Sequence, residues 1–189
     1  MRITGGTGNG YAAKVNEENR LYVQSVSVTA KHHANHSEGE AYNVLCAVNP
    51  SGAGDCIFYM LNNGEEDIVI EGVWWQTSAA EEVSYNLGDT GTAVATAGAA
   101  VTPVNLNAGS GNLADVTCYS NTADGAVDIT GLTAGTTIQS LWLTSAASVW
   151  FNAQQDIIVP KNKAFSIYCV GGDTLLRFTV VFHVHNPED

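Results

Sequence analysis

I-V-I-E-G-V-W-W-Q-T, Ile68 to Thr77, carries the strongest strand signal in the chain. β-Branched and aromatic side chains dominate it, and these fit a pleated, half-buried surface. Gly72 interrupts the run, and a glycine inside a strand marks a bulge or a close backbone approach. Trp74 and Trp75 are adjacent, so on a strand they face opposite sides. One of them belongs to the core, and the other to the surface or an interface.

Similar runs recur on both sides of it. Tyr42 to Val48 and Cys56 to Leu61 precede the central strand, separated by the breaker-rich loop Asn49 to Asp55. Glu81 to Leu87 alternates apolar and polar residues, as a half-buried strand does. Gly88 to Ala100 is small and Gly/Ala/Thr-rich, a long loop or a weak edge strand. Val101 to Asn107 contains Pro103, which argues for an edge or a strand start, and Ala108 to Asn112 is a glycine-rich loop. Val116 to Tyr119, Val127 to Leu132, Thr137 to Leu143, Ser148 to Phe151, Asp156 to Val159, Ala164 to Val170 and Leu175 to His185 complete the series. Two junctions, Asn62 to Asp67 and Pro160 to Lys163, read as short hairpins, while the long ones suit Greek-key crossings. The expected fold is all-β, a double-sheet sandwich of the jelly-roll kind. An immunoglobulin-type sandwich is the second choice, since it fits in fewer residues and the Cys…Trp…Cys spacing is not found.

Ahead of this body, the expected sandwich of residues 41–189, lies a segment of different texture. Tyr11 to Val28 holds two strand-like halves around the polar turn N-E-E-N, a hairpin signal. G-G-T-G-N-G precedes it, and the polar, loop-like K-H-H-A-N-H-S-E-G-E follows. Residues 1–40 are therefore read as an N-terminal arm with a β-hairpin and a His-rich loop. The same pattern equally fits an edge hairpin of the chain's own sheet. As an arm, it would dock through Tyr11, Val15, Leu21, Tyr22 and Val23, with Lys14 and Arg20 pairing with acids on a neighbour.

The chain has 189 residues, 19 acids against 7 bases and a net charge of −12. Such a body repels nucleic acid, whose binding requires phosphate neutralisation, and equally an anionic membrane surface. No segment reaches the length of a membrane span, and Met1-Arg2-Ile3 runs into glycines without the apolar core of a secretory signal. Cys46, Cys56, Cys118 and Cys169 lack metal-type spacing and read as buried free thiols.

Candidate chemistry is sparse. His32, His33 and His36 lie close to Glu38 and Glu40 and read as an interface or pH-sensitive loop rather than a metal site. His183 and His185 form an H-x-H whose rings would share a face, similar to part of a cupin metal motif, but the chain holds no second half of that motif. These two rings read as wet or at a subunit contact. Glu65, Glu66, Asp67, Glu81 and Glu82 read as solvated turn carboxylates. No nucleophile elbow, H-E-x-x-H or P-loop is found, so no catalytic residue, metal or cofactor is assigned.

Three stretches carry a resemblance. G-N-G-Y-A-A-K-V-N-E-E-N-R-L-Y-V (Gly8 to Val23), V-T-P-V-N-L-N-A-G-S-G-N (Val101 to Asn112) and D-I-I-V-P-K-N-K-A-F-S-I-Y (Asp156 to Tyr168) are similar to segments of small tailed-bacteriophage virion proteins of the capsid decoration or cement type. The resemblance implies a non-enzymatic jelly-roll protein of the outer capsid surface, assembled in the host cytoplasm. It would commonly be a homotrimer in contact with the major capsid protein or other virion proteins. A tail or fibre-base component has the same sequence texture. A carbohydrate-binding attachment module is the competing class, and it requires an exposed aromatic with polar neighbours on a sandwich face or loop.

Overall fold

The computed structural model describes residues 30–146, 148–172 and 174–185. The arm residues Tyr11, Lys14, Val15, Arg20, Leu21, Tyr22 and Val23 lie outside the described residues, as does the proposed hairpin.

A short helix, α1 (Ala30–His33), continues into a π-helical turn (Ala34–Glu38). The strands follow as β1 (Ala41–Pro50), β2 (Cys56–Asn62), β3 (Asp67–Thr77), β4 (Glu81–Leu87), β5 (Thr90–Ala97), β6 (Ala99–Ala100), β7 (Val104–Asn105), β8 (Val116–Ser120), β9 (Thr122–Thr133), β10 (Thr136–Leu143), β11 (Ser148–Val159), β12 (Ala164–Cys169) and β13 (Leu176–His185). One sheet has the order β11-β3-β13-β1-β9-β5, with β7 also paired to β1, and the other has the order β10-β4-β12-β2-β8-β6.

That order is a jelly roll with an insertion. Strands β1 to β4 alternate between the two sheets along the chain, and β10 to β13 do the same. Together they give the two four-stranded layers β11-β3-β13-β1 and β10-β4-β12-β2. Strands β5 to β9 are inserted between β4 and β10, and all of them extend the sheets on the β1/β2 side. The weak edge-strand reading of Gly88 to Ala100 matches β5, the last strand of its sheet.

Both junctions read as hairpins are instead crossings between layers. Asn62 to Asp67 carries the chain from β2 to β3, and Pro160 to Lys163 from β11 to β12, each time into the opposite sheet. Turn residues reverse the chain in either geometry, so their chemistry does not choose the destination. Asn62, 1% exposed, ties the two crossings together. Its side-chain amide donates to Glu66 O at 2.8 Å and Val159 O at 2.9 Å, and its Oδ1 accepts from Gly64 N at 2.9 Å. Its backbone N donates to Lys163 O and its carbonyl accepts from Asn162 N.

The core lies between the layers. Trp75 of β3 packs on Phe178 of β13 with ring centroids 4.7 Å apart. Its indole N–H donates to the Tyr85 hydroxyl of β4 at 2.7 Å, a buried hydrogen bond linking one sheet to the other. Burial raises the Tyr85 hydroxyl well above its ordinary value, while the indole bond opposes that rise. Glu81, read as a solvated carboxylate, is 3% exposed. Its Oε1 accepts from Gly171 N at 2.7 Å and Glu82 N at 2.9 Å, which fastens the β12–β13 connection.

All four cysteines are buried free thiols, as their apolar sequence neighbours indicated. Burial pushes Cys46 and Cys169 up from 9.0 to about 12, and Cys56 and Cys118 in the same direction. A thiol raised in the folded state contributes stability that is fully present below its unfolded value and is lost as pH climbs through the folded one. The thermal midpoint is therefore expected to decline as pH rises above about 9. Scanning calorimetry across the alkaline range checks this, and a midpoint that increased there would contradict it.

Candidate functional site

Two features outside the core are built from specific side chains. The first is the root of the N-terminal segment. The His-rich stretch, read as a loop, is helical. His32 and His36 stack with ring centroids 5.3 Å apart, and His33 Nδ1 lies 3.2 Å from Glu38 Oε1. Gly39 closes the turn at φ +68, and Glu40 N donates back to Ala34 O at 2.7 Å. A Cβ on Gly39 would lie 2.5 Å from the Ser110 side chain, so the position demands glycine for space as well as for conformation.

Ser110 belongs to the glycine-rich loop, and that loop is a clamp. Asn107 Nδ2 donates to Asn35 O at 2.9 Å, Asn112 Nδ2 to Glu38 O at 2.8 Å, and Asn105 Nδ2 to Gly39 O at 2.6 Å. Ser110 Oγ also donates to Gly39 O at 3.1 Å. The side-chain oxygens meanwhile shape the loop itself. Asn105 Oδ1 accepts from Asn107 N at 2.8 Å, and Asn107 Oδ1 from Gly109 N at 3.0 Å. An amide can perform both tasks because it carries donors and an acceptor at its two ends. The clamp fastens the turn from Asn35 to Gly39 to the body.

The second feature is the outer face of the sheet built on β3. Trp75 points into the core at 1% exposure, and Trp74 stands outside at 52%. The pairing register places Leu45, Thr179, Trp74 and Trp150 in one row across four strands. Arg177, Gln76 and Ser148 form the next row. Trp74 and Trp150 meet with ring centroids 4.9 Å apart. Gly72 provides the space for this pair. A Cβ there would lie 2.7 Å from the Trp150 ring and 2.2 Å from Phe151 O, and the ladders on both sides of β3 shift register at this point. Gly72 is thus both the bulge and the close approach that its place in the sequence suggested.

A depression borders the tryptophans on each side. One, of about 490 Å³, is lined by Leu45, Trp74, Gln76, Ser148, Arg177 and Thr179. Arg177 is paired there through Nε and Nη2 with the Asp124 carboxylate. The pair holds the Asp124 carboxyl below its ordinary value and the Arg177 guanidinium above its own. The other, of about 350 Å³, is lined by Glu71, Trp150, Asn152, Asp156, His183 and His185.

His183 and His185 do share a face, but His183 is not wet. It is 6% exposed, and its Nδ1 lies 3.1 Å from Glu71 Oε1. Among the described residues no group of three or more His, Cys, Asp or Glu side chains could hold a metal ion. No helix among them is long and apolar enough to cross a membrane.

The histidines named from sequence are brought together, although on a helical turn. The sequence reading missed Asn105, Asn107 and Asn112 as clamp donors. It also missed Gln76, Arg177 and Thr179 as neighbours of Trp74. The alternation of positions 74 and 76 with 177 and 179 held the second signal, and the register of two strands about a hundred residues apart was needed to extract it. Comparison with protein families, curated proteins and solved structures found no match.

Proposed function

We propose that this protein is a virion structural protein, a decoration or cement subunit that binds the outer surface of a bacteriophage head. It works through contacts with its own copies, as a homotrimer, and with the major capsid protein or other virion proteins. The observation that carries this reading is a charge polarity with a rigid root. Residues 1–29 hold three bases and two acids, and residues 30–189 hold four bases and seventeen acids, so a leader of +1 precedes a body of −13. The Asn clamp fastens the turn that follows the leader through backbone carbonyls, beside β1 and β13. A leader of opposite sign is attracted to acidic surface, which a neighbouring copy presents as well as its own block. Ordering such a leader costs about 1–2 kcal/mol per residue, so it needs the apolar anchors Tyr11, Val15, Leu21, Tyr22 and Val23 as well as Lys14 and Arg20. A tail or fibre-base position in the particle is served by the same polarity.

Removing residues 1–29 tests the reading, because the cut spares the clamped turn. The truncated chain is expected to keep the circular dichroism and thermal midpoint of the full protein and to lose attachment to particles lacking the native subunit. Co-sedimentation of both forms with such particles measures it. Full occupancy by the truncated chain would refute the role given to the leader.

A further inference from the structure

The geometry points to a binding site for a neutral oligosaccharide on the outer face of the β3 sheet, with Trp74 and Trp150 as its platform. This site is independent of the leader and goes beyond the structural role proposed above. A pyranose ring presents an apolar C–H face and a rim of hydroxyls, so its receptor needs a flat aromatic surface with hydrogen-bonding groups at its edge. Trp74 supplies an indole that is 52% exposed. The glycine at position 72 opens the space into which Trp150 lies, which orders the second ring against the first.

The polar groups are of the kind that grip adjacent hydroxyls. Gln76 and Arg177 on one side, and Asn152, Asp156 and His185 on the other, carry two or more hydrogen-bonding atoms in one plane. They flank the rings within the face, so a ligand lying on the tryptophans reaches both depressions. Arg177 is already paired with Asp124, and the other depression carries the Glu71 and Asp156 carboxylates, so the site does not call for an anionic ligand. The chain's net charge of −12 repels anionic glycans, which leaves neutral ones. Trp142, 64% exposed on β10, belongs to the opposite sheet and takes no part.

The test titrates the full-length protein with chitohexaose, cellohexaose, maltohexaose and a β-galactan hexasaccharide, reading tryptophan fluorescence and calorimetry, with a heparin hexasaccharide as the anionic control. At least one neutral probe is expected to bind saturably and heparin is not. Trp74→Ala is expected to weaken that binding by about tenfold or more, with the strand signal of the far-ultraviolet circular dichroism retained because the ring is exposed. Gln76→Ala is expected to weaken it less, and Leu113→Ala, at a remote and 85% exposed position, to leave it unchanged. Absence of saturable binding to all four neutral probes overturns the site, as does a Trp74→Ala protein that binds like the wild type. Should Trp74→Ala strip the protein from particles while no probe binds, the face is a subunit contact, the carbohydrate assignment fails and the virion reading stands. Saturable, Trp74-dependent binding by a protein that never joins a particle upholds the site and refutes the virion reading.

Discussion

Gly72→Val is expected to lose more than about 4 kcal/mol of stability. A side chain there meets backbone on one side and an indole on the other. Its Cβ would stand 2.2 Å from Phe151 O, on the partner strand β11, and 2.7 Å from two atoms of the Trp150 ring. The ring can swing away, but the carbonyl can move only if β11 leaves the ladder. Since β11 is the edge strand of its sheet, the expected result is detachment of that strand and loss of the Trp74–Trp150 contact together. Urea unfolding gives the energy, and the near-ultraviolet circular dichroism of the two touching indoles reports the local change. Trp150→Ala separates the two contributions, because it removes the ring while sparing the carbonyl contact. It is expected to cost less, and a Gly72→Val protein as stable as the wild type would show that the bulge carries no constraint.

The second large effect is expected at Asn62. Substitution by alanine removes three side-chain hydrogen bonds and leaves Val159 O, Glu66 O and Gly64 N without these partners at the corner where two layer crossings meet. Orphaned polar groups cost about 1–3 kcal/mol each when buried, and less where water reaches them. The sum is expected to be roughly 2–4 kcal/mol, or a fall of roughly 5–15 °C in the thermal midpoint for a chain of this size. Asn62→Asp is expected to be worse than alanine. It keeps the acceptor for Gly64 N but turns a carboxylate toward two carbonyl oxygens that need donors. Thermal denaturation of the two variants checks the order, and an aspartate more stable than the alanine would break the argument.

These two positions mark how far the fold could be read in advance. Gly72 stands out because a glycine inside I-V-I-E-G-V-W-W has few explanations, all local to the strand. Asn62 sits in a turn whose residues announce a reversal without naming its partner. Whether a chain turns back beside its own strand or crosses to the facing sheet depends on which edge is open, and distant strands decide that. Here β12 and β8 occupy both edges of β2, so β3 has to enter the other layer.

The same distance effect explains the His-rich turn. K-H-H-A-N-H-S has little intrinsic helical preference, and it is held helical by amides from Asn105 to Asn112, some seventy residues later. Glu81 differs from its sequence reading for a related reason, since its partner Gly171 N lies ninety residues away. Adjacent tryptophans promise one inside and one outside, but only the register shows that Trp74 is the outer one and that Gln76, Arg177 and Thr179 surround it.

The claim on which the rest depends is that this chain holds neighbours together on a particle. The measurement that meets it most directly is cross-linking mass spectrometry on purified virions carrying the native protein. The expected result is cross-links from Lys14 or Lys31 to acidic-body peptides of a second copy or to the major capsid protein, with the acidic body accessible from outside. Virions that lack the protein altogether, or that carry it only in contact with packaged DNA, would contradict the account.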